Sequence, residues 1–353
     1  MTKVQTHNDW DPLEEIIVGT ADHSCMPFID KCIYSCEFVD SPFDKIKSLE
    51  GPIPQWIIDE ANEDLENFSQ QLIKLGIKVR RPDVLNVSRS FSSPDWHTNG
   101  WYNFCPRDLL LPLDNLIIDC PGVMRSRQYE TLAYRSFLYE VVEHGGEWIS
   151  APKPRLLDES FQFEDLSIPT LVNKEIVFDA PNIVRLGKDL IYQVSNSGNK
   201  WGYKWLKNLL EPRGYRIHLA EKFYSYSHFD STVIPLRPGL VLFNGERCTP
   251  DWYPPIFKDW DKIFIPGDKI FDIGSHLGND VSYCSKFIGL NMLSINEKLV
   301  IIDEKQEYVR RELDRHGIES IGLPMRQART LPGGFHCCSL DVKRSGDLQD
   351  YFK

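Results

Sequence analysis

Short apolar runs recur along the chain, and each is followed by an amphipathic segment. The runs predict buried strands, since a brief apolar stretch fits a strand covered on both faces. They lie at residues 15–18, 116–119, 190–194, 240–243 and 299–302. After each run, apolar residues at steps of three and four predict a helix, and a second short strand follows, usually behind a glycine. The pattern predicts five strand–helix–strand units in series.

The helices and second strands of these units differ in clarity. The clearest helices are predicted over residues 57–75, 127–144, 201–210 and 305–316, and the second strands over 76–79, 146–149, 214–217, 262–265 and 317–321. In the fourth unit, Pro254 and Pro255 interrupt a short helix predicted over 251–260, because proline lacks the N–H that a helix interior needs. This unit is therefore expected to be the least regular.

Repetition of one unit favours an α/β fold whose copies are arranged around an axis, each burying a face on its neighbours. The alternative is a doubly wound parallel sheet, which is also built from strand–helix–strand units. No Gly-x-Gly-x-x-Gly loop follows a predicted strand, which argues against that alternative. No linker interrupts the chain, although residues 150–173 read as a long loop rich in proline and acidic residues. We therefore expect one domain over residues 1–353.

The composition narrows the classes of partner. The chain has 353 residues, 42% of them hydrophobic, so it can bury a large core. Its formal net charge is −11 and its Lys and Arg are scattered, which argues against binding nucleic acid. An acidic surface suits a cationic substrate, and it also serves solubility alone. The sequence predicts neither a membrane span nor a secretory signal, because it lacks the apolar runs that both require.

The cysteines bear on the compartment and on metal binding. Nine cysteines form an odd number without the spacing of a disulfide framework, which predicts reduced thiols and a cytoplasmic location. His23, Cys25, Cys32 and Cys36 could be taken for zinc ligands, but their spacing lacks a Cys-x-x-Cys pair. We therefore predict no metal site.

Polar residues of catalytic type stand ahead of the predicted first strands, in the same phase of successive units. They are Asp108, Asp179, His228 with Asp230, and Ser285, and Cys337 follows where the chain would return to the first unit. If the units are related by rotation, equivalent positions converge on the axis. We therefore expect these residues, which are distant in sequence, to share one pocket.

Cys337 is the candidate nucleophile, because a thiolate is the strongest nucleophile that a side chain offers near neutral pH. Gly333 and Gly334 precede it and allow close approach of backbone and substrate. The cysteine is expected on a short strand, facing away from His336 and Cys338. A free cysteine also packs as a small hydrophobe, so the residue by itself permits a structural role.

His228 and Asp230 are expected on the same side of a strand, which makes His228, rather than His336, the candidate proton carrier. Two of the carboxylates suit the planar fork of a guanidinium group. Each residue also has an ordinary structural explanation, because aspartates cap turns and a lone histidine is often a satisfied core group. Their common phase in the repeat favours the functional interpretation.

At these positions the chain resembles the arginine amidinotransferases, of the guanidino-modifying enzyme superfamily. The resemblance rests on an ordered set of motifs that spans nearly the whole chain and looks closest to the secondary-metabolism branch, which includes inosamine-phosphate and saxitoxin-pathway enzymes. The motifs lie at residues 7–15, 106–108, 151–154, 178–180, 228–230, 333–337 and 341–346. The resemblance implies the superfamily's five-bladed α/β-propeller fold.

The resemblance also implies catalytic roles. Cys337 matches the family's nucleophile, His228 its general acid and base, and Asp179 the carboxylate that orients the histidine. The implied activity moves the amidino group of L-arginine through a covalent adduct on the cysteine to a small amine, with release of L-ornithine. It requires no metal or organic cofactor, and the relatives imply a homodimer.

Further matches concern substrate binding. Asp108 and Asp230 match the acids that hold the guanidinium group, and Arg247 and Ser285 match residues that hold the donor's α-carboxylate. On sequence alone, Arg247 is equally an ordinary loop cation.

Three departures from the family pattern bear on the acceptor. Pro332 replaces the first glycine of the usual Gly-Gly-Gly, which stiffens the loop before the nucleophile. Ser227 and Ser225 stand where creatine-pathway members carry methionine and asparagine. These two small hydroxyl side chains suggest a roomier acceptor site, which puts glycine as the acceptor in doubt.

The residues also allow other functions, and two long segments have no assigned role. Water could resolve the adduct, as in an arginine deiminase or a dimethylarginine-type hydrolase, glycine could be the acceptor, or the repeat could be a non-catalytic scaffold. Residues 20–55 and 266–283 are candidate lids, and the second contains Gly274, Gly278 and Asn279.

Overall fold

Five three-stranded sheets form most of the strand structure in the computed structural model, which describes residues 4–39, 41–276 and 283–352. In each sheet the central strand pairs antiparallel with one neighbour and parallel with the other. The central strands are the five apolar runs that the sequence predicts. The α/β class is confirmed, whereas the arrangement of the sheets as blades around one axis stays a prediction.

The strands are short, and their order within each sheet follows the repeat. They are β1 (Leu13–Val18), β2 (Cys25–Met26), β3 (Gly51–Pro52), β4 (Lys78–Arg80), β5 (Ser90–Ser92), β6 (His97–Asn99), β7 (Leu110–Leu113), β8 (Leu116–Asp119), β9 (Glu147–Ser150), β10 (Ile183–Leu186), β11 (Asp189–Gln193), β12 (Arg216–Ala220), β13 (Val233–Arg237), β14 (Leu240–Asn244), β15 (Asp261–Ile265), β16 (Leu293–Asn296), β17 (Leu299–Asp303), β18 (Glu319–Leu323) and β19 (Ser339–Arg344). The three-stranded sheets are β19-β1-β4, β7-β8-β9, β10-β11-β12, β13-β14-β15 and β16-β17-β18, and β2-β3 and β5-β6 are two-stranded pairs.

Helices connect the parallel strands of four sheets, because parallel neighbours need a crossover. The helices are α1 (Lys31–Glu37), α2 (Phe43–Lys47), α3 (Gln55–Lys74), α4 (Arg135–Glu143), α5 (Lys200–Leu210) and α6 (Glu307–Arg315). The ends of α3, α5 and α6 lie within two residues of their predicted bounds. Within the described residues, none of the helices has the length and apolar character needed to cross a membrane.

Two helix predictions need correction. The helix predicted over 127–144 is shorter, because 3₁₀ turns at Arg125–Arg127 and Glu130–Tyr134 precede α4. The helix predicted over 251–260 is wrong, since only the 3₁₀ turn Pro255–Phe257 forms there. The prolines that weakened the prediction account for this result, because they remove backbone N–H donors at the start of the segment.

The sequence missed the outer antiparallel strand of each sheet. β7 joins β8 through a two-residue turn in which Asp114 has φ 51°, and β10 joins β11 through a turn in which Gly187 has φ 68°. Left-handed residues of this kind suit tight hairpins. The outer strand therefore belongs to the unit, and the polar segments that the sequence singled out lie directly before this strand.

The last strand closes the chain onto the first sheet and fixes part of the site. β19 pairs antiparallel with β1, and at this junction Asp341 is fully buried. Its carboxylate accepts hydrogen bonds from Arg107, Arg185 and Arg344. Burial alone would raise the pKa of Asp341, but these three cations hold that pKa well below its usual value. The network ties the segment carrying Asp108 to β19.

The two candidate lids differ in content. The described part of residues 20–55 (20–39 and 41–55) contains β2, α1, α2 and β3. In the second segment, Gly278 and Asn279 lie outside the described residues. The lid function of both segments stays a prediction.

Candidate active site

The segments that precede the sheets line one cavity of about 790 Å³. Of the predicted site residues, its wall includes Asp108, Ser225, Ser227, His228, Asp230, Arg247, Ser285 and Cys337. Asp179 hydrogen-bonds to His228 next to this wall. The structure therefore brings together all the residues that the phase of the repeat singled out. Their roles are not settled by this proximity and stay predictions.

Cys337 lies in a turn, and the expectation that it lies on a strand is wrong, since β19 begins at Ser339. The Cys337 N–H donates to the side-chain oxygen of Asn291 at 2.9 Å instead of to a neighbouring strand. A Cβ atom at Gly334 would come within 2.8 Å of Asn291 Cβ, so glycine permits this close approach. The turn places the thiol on the wall of the cavity.

His228 and Asp230 also lie outside strands, since His228 has irregular backbone and Asp230 lies in a turn that precedes β13. The expected division of faces still holds, because Phe229 is fully buried while both neighbours line the cavity. The reason is different from the predicted one. The intervening aromatic ring packs into a hydrophobic cluster with Val233 and Tyr224, which turns its polar neighbours toward the cavity.

The thiol of Cys337 hydrogen-bonds to Asp230, with 3.3 Å between Sγ and Oδ2. Burial, and then the negative charge of Asp230, raise the pKa of Cys337 well above its usual value. His336 Nδ1 lies 2.9 Å from the same carboxylate oxygen. Burial alone would raise the pKa of Asp230, but the hydrogen bond with His336 holds that pKa well below its usual value. A cation bound beside Asp230 would offset its charge and so favour the thiolate.

His228 lies between two carboxylates. Its Nε2 is 3.0 Å from Asp179 Oδ2, and its Nδ1 is 3.5 Å from Asp108 Oδ1. Burial alone would lower its pKa, but the charges of Asp108 and Asp179 raise the pKa of His228 to about 10. The imidazole is therefore charged at neutral pH, which is the state that a proton donor needs.

Asp108 has one satisfied and one unsatisfied oxygen. Its Oδ2 accepts from Arg127 Nη1 at 2.6 Å. Its Oδ1 is buried and lies 3.5 Å from His228 Nδ1, in an ion pair, but it accepts no hydrogen bond from the part of the chain that the structure describes. An unsatisfied buried carboxylate oxygen is costly unless a ligand supplies the donor. The N–H groups of a guanidinium are donors of this kind.

Arg247 lies on another part of the cavity wall, and its partners are neutral hydroxyl groups. Its guanidinium is 2.9 Å from Thr232 Oγ1 and 3.4 Å from the hydroxyls of Ser231 and Ser285, and it lies over the ring of Phe287. Burial lowers the pKa of Arg247 to about 10. No carboxylate of the described residues forms an ion pair with it, so it can bind an anionic group of a substrate.

The two serines that replace bulkier residues have different surroundings. The Ser225 hydroxyl donates to the backbone oxygen of His228 at 2.8 Å, so it supports the loop that carries the histidine. The carbonyl of Ser227 accepts from Ser195 Oγ at 2.6 Å, whereas its hydroxyl has no partner among the described residues. Of the two hydroxyls, that of Ser227 is the one available to a ligand.

Sequence reasoning missed four residues of the site. Asn291 holds the backbone of Cys337, Arg127 holds Asp108, His336 holds Asp230, and Glu37 lines the cavity. Of the four, His336 was noticed in the sequence because it stands beside the nucleophile. It was considered as the proton carrier, and His228 was preferred. Asn291 stands two residues before β16, in phase with Asp108 and Cys337, but the sequence analysis selected Ser285 in that unit instead. Arg127 and Glu37 lie outside the phase of the repeat, so no local pattern indicated them.

Comparisons with known proteins show which family the chain resembles. No family model matches the chain. The chain is 41% identical over 351 residues to inosamine-phosphate amidinotransferase 1 of Streptomyces glaucescens, with 99% of each protein covered. It is 36% identical over 368 residues to the L-arginine:L-lysine amidinotransferase of Pseudomonas savastanoi pv. phaseolicola, again with 99% of each covered.

A solved structure gives the same result. The chain matches the inosamine-phosphate amidinotransferase of Streptomyces griseus with a TM-score of 0.95 and 40% sequence identity, over 100% of both chains. Similarity of this degree over the full length confirms the resemblance noted from the motifs. The chain therefore belongs to the amidinotransferase family and is a transferase.

Proposed function

We propose that the protein transfers the amidino group of L-arginine to an amine through an amidino-Cys337 intermediate, with release of L-ornithine. The observation that carries the proposal is that one cavity holds the thiol of Cys337, the charged imidazole of His228 and the carboxylates of Asp108 and Asp230. L-Arginine as the donor is further supported by the similarity to an L-arginine:L-lysine amidinotransferase. The proposed chemistry uses no metal or organic cofactor.

In the first half-reaction, the guanidinium group binds between Asp108 and Asp230. Oδ1 of Asp108, which accepts no hydrogen bond from the described residues, accepts one of the N–H groups of the guanidinium. The positive charge of the guanidinium beside Asp230 favours the thiolate of Cys337. The thiolate attacks the guanidinium carbon and forms a tetrahedral centre. His228, held by Asp179, gives a proton to the departing nitrogen, and ornithine leaves.

In the second half-reaction, an amine attacks the adduct with His228 now acting as the base. We propose a secondary-metabolism acceptor larger than glycine, because Ser225 and Ser227 leave room in a cavity of about 790 Å³. The names of the inosamine-phosphate relatives support this choice. The five sheets would then form blades around the cavity, in a homodimeric cytoplasmic enzyme.

Intact-protein mass spectrometry after incubation with L-arginine alone tests the proposal. We expect the protein to gain the mass of one amidino group and an equivalent of L-ornithine to appear. Citrulline accumulating without any added amine would instead make the protein an arginine deiminase. Neither adduct nor product would mean that arginine is not the donor.

Replacing Arg247 with glutamine tests the proposed carboxylate site. We expect the KM for L-arginine to rise roughly 10- to 100-fold, since a charge-assisted hydrogen bond contributes about 1.5–3 kcal/mol. Agmatine, which is arginine without its carboxylate, serves as the control donor, and its KM should change little. A similar rise for both donors would show that Arg247 does not bind the α-carboxylate.

A further inference from the structure

Glu37 is a cavity-lining acid that the mechanism above does not use. It is the last residue of α1 and lines the same cavity as His228 and Cys337. Its carboxylate has no hydrogen bond or ion pair with the described residues. A negative charge is disfavoured at the C-terminal end of a helix, so this placement is not explained by stability.

Each half-reaction of the proposed function moves two protons, and His228 carries only one of them. At neutral pH the acceptor arrives as an ammonium ion, which must lose one proton before attack and a second as the new C–N bond forms. His228 takes one of these protons and becomes imidazolium again. The other must reach Cys337, which leaves the adduct as a thiolate and ends as a thiol. In the first half-reaction the protons move in the opposite direction: the departing amine of ornithine gains one proton from His228 and one from the thiol of Cys337.

We propose that Glu37 is this second carrier: it takes the proton that the acceptor's ammonium group loses before attack. It then returns that proton through cavity water to the thiolate of Cys337 when the carbon–sulfur bond breaks. In the first half-reaction it moves the thiol proton to the amine of departing ornithine. Protons balance in each half-reaction, with no net gain or loss. This inference rests on the proposed function.

The electrostatics of the cavity suit this role. Burial raises the pKa of Glu37 to about 7, with the charges of His228 and Arg127 opposing that rise and those of Asp108 and Asp179 adding to it. Burial, and then the charge of Glu37, raise the pKa of the thiols of Cys36 and Cys284, which line the same cavity. A proton carrier works best when its pKa lies near the working pH. Asp230, whose pKa is well below its usual value, is a poor candidate for the same task.

The test compares two nucleophiles that discharge a preformed adduct. Adduct is prepared from L-arginine in wild type and in Glu37→Gln, freed of excess donor, and mixed at pH 7.5 with L-ornithine or hydroxylamine. Ornithine must react by microscopic reversibility, and its side-chain amine is an ammonium ion at this pH. Hydroxylamine is already uncharged and needs no prior deprotonation. Loss of the adduct mass gives both rates.

We expect Glu37→Gln to slow discharge by ornithine about 10²-fold and to leave discharge by hydroxylamine close to the wild-type rate. Raising the pH should restore the ornithine rate, because more of the amine is then uncharged. Equal slowing with both nucleophiles, or none with ornithine, would overturn the proposal. If wild type forms no adduct, the proposed function itself fails, and the role of Glu37 with it.

Two further variants keep the result interpretable. Glu246→Gln changes another cavity-lining acid, whose Oε1 already accepts the Gly267 N–H at 3.0 Å, and it should discharge like wild type with both nucleophiles. Glu37→Asp retains a carboxylate on a shorter stem and should fall between wild type and Glu37→Gln with ornithine. If the aspartate variant is as slow as the glutamine variant, the carboxylate is not the group that matters.

Discussion

Replacing Cys337 with alanine is expected to lower turnover of L-arginine by roughly 10⁴-fold or more and to abolish the amidino adduct. The Cys337 thiol hydrogen-bonds to Asp230, so it lies where the proposed guanidinium carbon would be attacked. The fold should persist, because the substitution removes one sulfur atom from a cavity wall. Ornithine release and the thermal midpoint of unfolding, measured together, check both expectations.

Cys284→Ala is the matched control for this result. Cys284 lines the same cavity, so its replacement tests whether any thiol there suffices. This variant should still form the adduct. Loss of the adduct in Cys284→Ala with retention in Cys337→Ala would reverse the assignment of the nucleophile.

Replacing His228 with asparagine is expected to lower kcat/KM for L-arginine by about 10³-fold, because the leaving amine loses its proton donor. Asparagine keeps a hydrogen-bonding group near Asp179 and Asp108 but cannot carry the proton. Initial rates of ornithine release measure the effect. Retention of more than a small fraction of the wild-type rate would mean that another group supplies the proton. His336, which is next to Cys337 in the sequence, is the first candidate.

The pH profile gives an independent check on His228. Because its pKa is raised to about 10, the donor form is present below that value and is lost as the pH rises through it. The alkaline limb of kcat/KM should therefore lie near pH 10 in wild type. Asp179→Asn removes a charge that favours the imidazolium, so it should move this limb to lower pH. If the alkaline limb stays at the same pH in Asp179→Asn, it reports the titration of a group other than His228.

The predicted parts of the fold are those that local patterns control. The central strand β8 matches its predicted residues, and the ends of α3 lie within two residues of prediction, because apolar periodicity is read over neighbouring positions. The outer strands were missed, since a short strand after a turn resembles a loop in sequence. The segment around Pro254 and Pro255 does not form the predicted helix, because the two prolines lack the backbone N–H groups that a helix needs.

The candidate site was predictable because its residues repeat in phase. Asp108, Asp179, His228 and Cys337 each stand just ahead of an outer strand, and the sheets bring these positions to one cavity. The expectation that Cys337 lies on a strand failed because its N–H bonds to a side chain from another unit. Phase in a repeat thus indicated which residues meet, and it did not indicate their backbone conformation.

By itself, the sequence determined the α/β class, the order of the units, the central strands and the residues that stand ahead of each sheet, because these depend on patterns among near neighbours. Only the tertiary structure decided which groups surround them. Arg127 donates a hydrogen bond to Asp108, Asn291 accepts one from the Cys337 N–H, and the charge of His228 acts on Glu37. Their chemistry depends on burial and on charges brought together from distant positions, and no local pattern of residues specifies either.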